Sequence, residues 1–367
     1  MSEEIPDAPS GIVRFSAALD AYPARFRGNP LNLLFLHNAL PIRHSRQYLR
    51  ALDGAHLQAE HREYLFASRA HWPFPSVTLA HRPDPWALSH ALFTNFHAAT
   101  VLLDTQADIA AILTQRARET QPDIVLLMIA DGLSYYDVPD ERAMRPCLVT
   151  GPTITGYGHQ QVTGSPHIAR RLFDLGYRDQ VGLTYFDMQQ NDLAADLFAL
   201  FGSSHVLRMR DVESGCVWLV ERKMIRGYVQ VTAMGLDDLV HQQRDRPLRQ
   251  AHREAVFDRF AQLITTLRAG GKRVLACLTA DHGILWRDTL EAHPPVIVAE
   301  EHADTAHPRY LTHGVPRPYG RIVSTDQGAR TLLSVPHLTR ALRSNEWGAH
   351  GGISAWESLV PLIITEE

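Results

Sequence analysis

Two stretches of this chain, IVLLMIA at 124–130 and VLACLTA at 274–280, carry a single polar residue between them, Thr279. Seven residues fall far short of the ~20 needed to span a bilayer. They also lack the apolar–polar alternation of a strand with one wet face. A strand covered on both sides fits them. Strands of that kind belong to parallel sheets, whose crossover helices lie over both faces. Two further runs, VGLTYF at 181–186 and YVQVTAMG at 228–235, alternate with helical patterns in the same part of the chain.

The helical patterns are amphipathic. Gln106–Arg118 places Ile109, Ile112 and Leu113 on one face. In 251–269, Val256, Phe260, Leu263, Ile264 and Leu267 share a face, and Gly270-Gly271 stops it. Ser165-Pro166 reads as a third helix start and Gly176 as its end. The fold class expected is α/β. A mostly parallel central sheet covered by helices on both faces occupies 121–367, and a mainly helical, irregular accessory region occupies 1–120. In the accessory region, WPFP at 72–75 and RPDP at 82–85 are breaks. Its histidines, among them His37, His44, His56, His61 and His71, have no ligand-like spacing.

Composition narrows the function classes. A formal net charge of −4 over 367 residues argues against a strong sequence-independent grip on duplex nucleic acid. Only Lys223 and Lys272 are lysines among 36 cationic residues. Cys147, Cys216 and Cys277 are too scattered for a disulfide framework or a zinc knuckle. The start, MSEEIPDAPSG, is no signal peptide, and no apolar run is long enough for a membrane span. The expected location is the cytoplasm, with no membrane partner.

In open α/β sheets, ligands bind beyond the carboxyl ends of the strands. Asp131-Gly132 follows the first run, Asp237-Asp238-Leu-Val-His241 the third, and Asp281-His282-Gly283 the fourth. His350-Gly-Gly stands near the C-terminus. Mixed carboxylate and imidazole groups suit zinc or manganese. Between the first two acids, GPTITGYGHQQVTGSPH at 151–167 offers hydroxyls at Thr153, Thr155, Thr163 and Ser165. An alcohol becomes a useful nucleophile near neutral pH when a cation lowers its pKa. The residues alone leave Thr153 a rival of Thr155, and Asp238 a rival of Asp237.

In this order the motifs resemble the alkaline phosphatase superfamily, and within it the PglZ branch of bacterial phage-defence systems and response regulators. The resemblance covers residues 121–367. It rests on Asp131-Gly132, Pro152-Thr153-Ile154-Thr155, Asp237 to His241, Asp281-His282-Gly283, and His350-Gly351-Gly352 followed by Ser354 and Glu357. The resemblance implies two divalent metal ions. Zinc is the first expectation, and manganese and magnesium also suit. Asp131, Thr155, Asp281 and His282 would hold one, and Asp237, His241 and His350 the other. Thr155 would be the nucleophile. His159 and Arg309 are candidates for touching the phosphate, and His313 in HPRYLTHG is a rival of His350. Glu357 reads as a helix-capping or packing residue.

The function that follows is a phosphodiesterase acting on nucleotide phosphodiesters (short or cyclic oligonucleotides, or DNA), with protein partners from a defence system. A phosphomonoesterase, or a non-catalytic metal-binding scaffold, are the alternatives.

Overall fold

The computed structural model describes residues 85–94, 96, 99–100, 103–139, 144–184, 192–241, 247–304, 306–326 and 328–366. Most of the accessory region expected over 1–120, including its five singled-out histidines, lies outside the described residues.

Eight strands form the central sheet: β1 (Asp104–Thr105), β2 (Ile124–Ala130), β3 (Arg145–Leu148), β4 (Asp179–Thr184), β5 (Val206–Arg208), β6 (Gly227–Ala233), β7 (Val274–Ala280) and β8 (Leu359–Glu366). Their order is β1-β3-β8-β7-β2-β6-β4-β5. Only β8 runs antiparallel to its neighbours. Strands β2, β6 and β7 are buried at every position, as continuous apolar runs require. They also share one register: Ala130 stands beside Ala233 on one side and Ala280 on the other. The residues that follow these three strands therefore emerge at the same height on the sheet edge.

The helices are α1 (Pro85–Thr94), α2 (Gln106–Thr120), α3 (Thr155–Thr163), α4 (Ile168–Asp174), α5 (Asp192–Phe201), α6 (Val212–Glu221), α7 (Arg249–Leu267), α8 (Arg287–Ala292) and α9 (Ala355–Ser358). One group, α2 with α3 and α4, packs together, and α6 packs with α7. Helix α2 starts where the Asp108 carboxylate accepts from the Thr105 N–H at 2.9 Å and from its hydroxyl. Its Ile109, Ala110, Leu113 and Ala117 belong to the main core. The folded unit thus extends upstream of residue 121. Helix α7 buries the predicted stripe plus Phe257.

Three expectations differ from the fold. Helix α4 begins at Ile168, not at Ser165-Pro166, and its cap is the His167 ring, whose Nδ1 accepts from the Ala169 N–H. Strand β4 begins at 179 rather than 181, with 185–186 outside the described residues, and β6 spans 227–233 rather than 228–235. Strands β3 and β8 carry no clear sequence signal, because each contains a proline. Pro146 and Pro361 stand opposite each other, so both donorless positions fall on one rung of the ladder. Among the described residues, no helix is long and apolar enough to cross a membrane.

Candidate active site

The even register of β2, β6 and β7 delivers three acidic turns to one place. After β2, Gly132 takes φ +75°, and its N–H donates to Asp281 Oδ1 at 3.1 Å. A side chain at 132 would be strained there and would also meet the Asp237 backbone nitrogen at 2.8 Å. The His282 N–H gives Asp281 Oδ1 a second donor at 2.9 Å. From α2, Gln106 Nε2 donates to the carbonyls of Ala280 and Asp281 at 2.8 and 2.6 Å and pins the end of β7. After β6, a single 3-10 turn, Asp237–Leu239, presents Asp237 with His241 just beyond it. His350 enters from the segment that precedes β8.

Helix α3 brings the hydroxyl. It can lie on the end of β7 because residue 158 is glycine: a Cβ there would come within 1.9 Å of the Asp281 carbonyl oxygen. Thr155 stands at its first position, with Oγ1 3.4 Å from Asp131 Oδ1 and 3.3 Å from His282 Nε2. Thr153 is fully buried. Its hydroxyl accepts from the Gly351 N–H at 2.7 Å and donates to the Gly352 carbonyl at 3.2 Å. Of the two rival threonines, Thr155 reaches the acids and Thr153 ties down the His-Gly-Gly segment.

The imidazole tautomers follow from their partners. His350 Nδ1 faces the Thr153 carbonyl at 2.9 Å, and His282 Nδ1 faces the Gly283 carbonyl at 3.1 Å. A carbonyl only accepts, so both Nδ1 atoms carry the proton, and in the neutral ring each Nε2 is then a bare acceptor. His282 Nε2 lies 3.5 Å from Asp131 Oδ1 and 3.9 Å from Asp281 Oδ2. His350 Nε2 lies 3.3 Å from Asp237 Oδ1 and 3.2 Å from His241 Nε2, and His241 Nε2 lies 3.5 Å from Asp237 Oδ2. The His282 and His350 rings stack, with centroids 4.3 Å apart.

Lone pairs therefore face lone pairs. Asp237 Oδ1 is buried with no hydrogen-bond partner among the described residues. Burial pushes Asp131 well above the usual carboxylate range, and the neighbouring charges of Asp281 and Asp237 push it further. Burial likewise raises Asp281 and holds His350 well below the ordinary imidazole value. Burial also pushes Asp237 upward, but its contacts with His350 and His241 outweigh it and leave that carboxyl low. Asp237 pulls His241 upward in return.

This donor set fits divalent cations. Ligand atoms of Asp131, Asp281 and His282 lie within 4.8 Å of one another, as do those of Asp237, His282 and His350. Carboxylate oxygens and deprotonated imidazole nitrogens are the atoms zinc and manganese take.

Other candidates go elsewhere. Asp238 is exposed, and His313 is exposed and packs against His302 at 4.5 Å. Arg309 is corrected to a structural residue. It is fully buried, and its N–H groups serve both Glu357 oxygens and the carbonyls of Ser334, His337 and Ile353. None remains for a phosphate. Glu357 also accepts from the Gly352 N–H and the Ser354 hydroxyl, in keeping with its capping and packing role. His159 is buried one turn beyond Thr155 on α3, with Nε2 3.4 Å from Thr232 Oγ1.

Sequence reasoning missed His307, whose ring centroid lies 4.7 Å from that of His350. The segment HPRYLTHG holds both His307 and His313, and nothing in its spacing says which one turns inward.

No family model matches the chain, and no curated protein matches it. Among solved structures, murine ectonucleotide pyrophosphatase/phosphodiesterase 5 is 14% identical at a TM-score of 0.40, over 65% of this chain and 87% of that one. The C-terminal periplasmic domain of EcEptC from Escherichia coli, in complex with Zn, is 11% identical at a TM-score of 0.29. That match covers 44% of this chain and 64% of the other. A mutant TAB5 alkaline phosphatase with Mg bound is 9% identical at a TM-score of 0.29, over 66% and 91%.

Proposed function

We propose that this chain is a metal-dependent phosphoric ester hydrolase with Thr155 as its nucleophile, and that its substrates are nucleotide phosphodiesters. The observation that carries this reading is a single hydroxyl, Thr155 Oγ1, set against bare acceptor atoms from separate strand ends. Asp131, Asp281, His282 and Thr155 would hold one divalent cation, and Asp237, His241 and His350 the other, with zinc the first choice. Such cations lower the pKa of an alcohol or water and neutralise charge on a phosphoryl group.

The chain's own residues supply the rest. The α3 N-terminus holds Thr155 Oγ1 in place, and free helical N–H groups there suit a phosphate oxygen. Thr155 Oγ1 forms a bond to phosphorus as the bond to the leaving ester oxygen breaks, and that oxygen departs with a proton. Water then cleaves the phosphothreonine and restores the hydroxyl.

Two features favour a diester over a monoester. Among the described residues, the groups acting most strongly on the cluster's acids are other acids and imidazoles, with no guanidinium or ammonium among them. Beside the nucleophile, a Cβ on Gly156 would meet nothing within 4 Å, which leaves room for a second ester group. The PglZ resemblance adds nucleic acid or a signalling nucleotide in bacterial phage defence as the setting.

A bis-aryl phosphate should be turned over faster than the mono-aryl ester, and both chelation and Thr155→Ala should abolish turnover. Faster monoester turnover would move the assignment to a phosphomonoesterase. A wild-type protein that binds no metal and turns over neither ester would be a scaffold.

A further inference from the structure

A cavity of about 700 Å³ is lined by Pro152, Ile154 and Gly156, which flank Thr155. One lining residue, Gln230, sits mid-strand in β6 and is fully buried. Gln230 Oε1 accepts from the Tyr228 hydroxyl at 2.9 Å. That bond leaves Nε2 over, and Nε2 has no partner among the described residues. An unmet buried amide donor costs about 1–3 kcal/mol, a cost that an acceptor in the cavity reaching Nε2 would recover.

The other lining groups define what that group is. His167 Nδ1 accepts from the Ala169 N–H at 3.1 Å, so in the neutral ring Nε2 carries the proton and is a second donor. His159 is also neutral, since burial pulls it down to about 4. Ile154, Tyr157, Leu197 and Leu200 supply apolar wall. Asp196 and Asp326 add carboxylates, while the Arg330 guanidinium on the same wall donates to the Thr312 carbonyl. The two carboxylates disfavour a phosphate, and the neutral donors pair with any acceptor. They suit an uncharged ring with acceptors on one edge and an amino or imino donor on another. A volume of several hundred Å³ is the usual size for such a ligand.

We propose that this cavity, read through Gln230, receives the heterocyclic base of the substrate whose phosphoester Thr155 attacks. Its link to turnover rests on the hydrolase reading above; its binding chemistry does not. The test uses unphosphorylated adenosine and uridine, titrated calorimetrically into the full chain with a chelator present. At least one should bind saturably to wild type and to Thr155→Ala, and at least tenfold more weakly to Gln230→Leu. Leucine keeps the volume and removes the unmet donor; it also costs the Tyr228 hydroxyl its acceptor, so urea denaturation checks that the variant is still folded.

Absence of saturable binding, or equal affinity in Gln230→Leu, overturns the proposal and leaves water as the cavity's occupant. Where the chain turns over a bis-aryl phosphate, the nucleoside should compete with it. Non-competitive inhibition would make the cavity an effector site and overturn the placement of the substrate's base. Should the chain hydrolyse no ester at all, the chelated titration still decides what the cavity binds.

Discussion

Two buried polar groups adjoin the Gly351-Gly352 turn, and they are opposites. On one side, Arg309 and Glu357 form an ion pair at 2.7 Å with neither side chain exposed, and backbone partners surround it. On the other, three carboxylates and three imidazoles crowd together, and one oxygen has no partner among the described residues. The first set closes within the protein. A divalent cation would complete the second. Burial alone does not mark a functional site; an unbalanced buried set does.

The sharpest way to break this contrast is to exchange the two threonines that straddle it. Thr155→Ala should cut ester turnover roughly thousandfold or more while leaving the urea midpoint within error. Thr153→Ala should act mainly on stability, by about 1–3 kcal/mol, because the Gly351 N–H loses its acceptor. If both variants lose turnover alike and neither loses stability, the distinction between them fails.

Next in size is the closed pair. Arg309→Met strands a buried Glu357 carboxylate and should cost about 3–5 kcal/mol in denaturant unfolding. A cost below about 1 kcal/mol would mean that the pair is wetter than its burial indicates.

A third test uses pH. His159 folds as a neutral ring with its pKa near 4, against about 6.5 unfolded. The native state then binds fewer protons than the unfolded chain. Its contribution is complete above about pH 6.5 and declines as pH falls toward 4, by roughly 3 kcal/mol in all. His159→Gln should flatten that part of the stability profile; an unchanged slope would assign it to other groups.

The smallest effect is the most diagnostic in sign. In chelator, Asp237→Asn should leave stability unchanged or raise it by about 1 kcal/mol, because the amide offers a donor to the bare His350 Nε2. A loss of several kcal/mol would show that the carboxylate is already satisfied.

How much of this was legible in the sequence depended on redundancy. Strands β2 and β7 matched their apolar runs end to end, because burial on both faces leaves no polar position to blur a boundary. The strand-end acids were legible for the same reason: the first residue after such a run is where the sheet stops. Strands β3 and β8 were hidden by Pro146 and Pro361, which are tolerated only because they pair with each other.

Thr153 and Thr155 could not be separated by residue type, since the difference lies in partners some 200 positions away, at Gly351 and Gly352. His307 and Gln230 left no trace either. One depends on how a loop turns, and the other is a polar residue in the middle of a core strand.

The central claim is that the acceptor cluster is a two-cation site, and counting bound ions tests it most directly. Chelated, purified chain titrated with zinc should bind two ions. Asp131→Asn and Asp237→Asn should each lose one while remaining folded. A wild-type chain that binds none, or variants that bind as wild type does, would contradict the account.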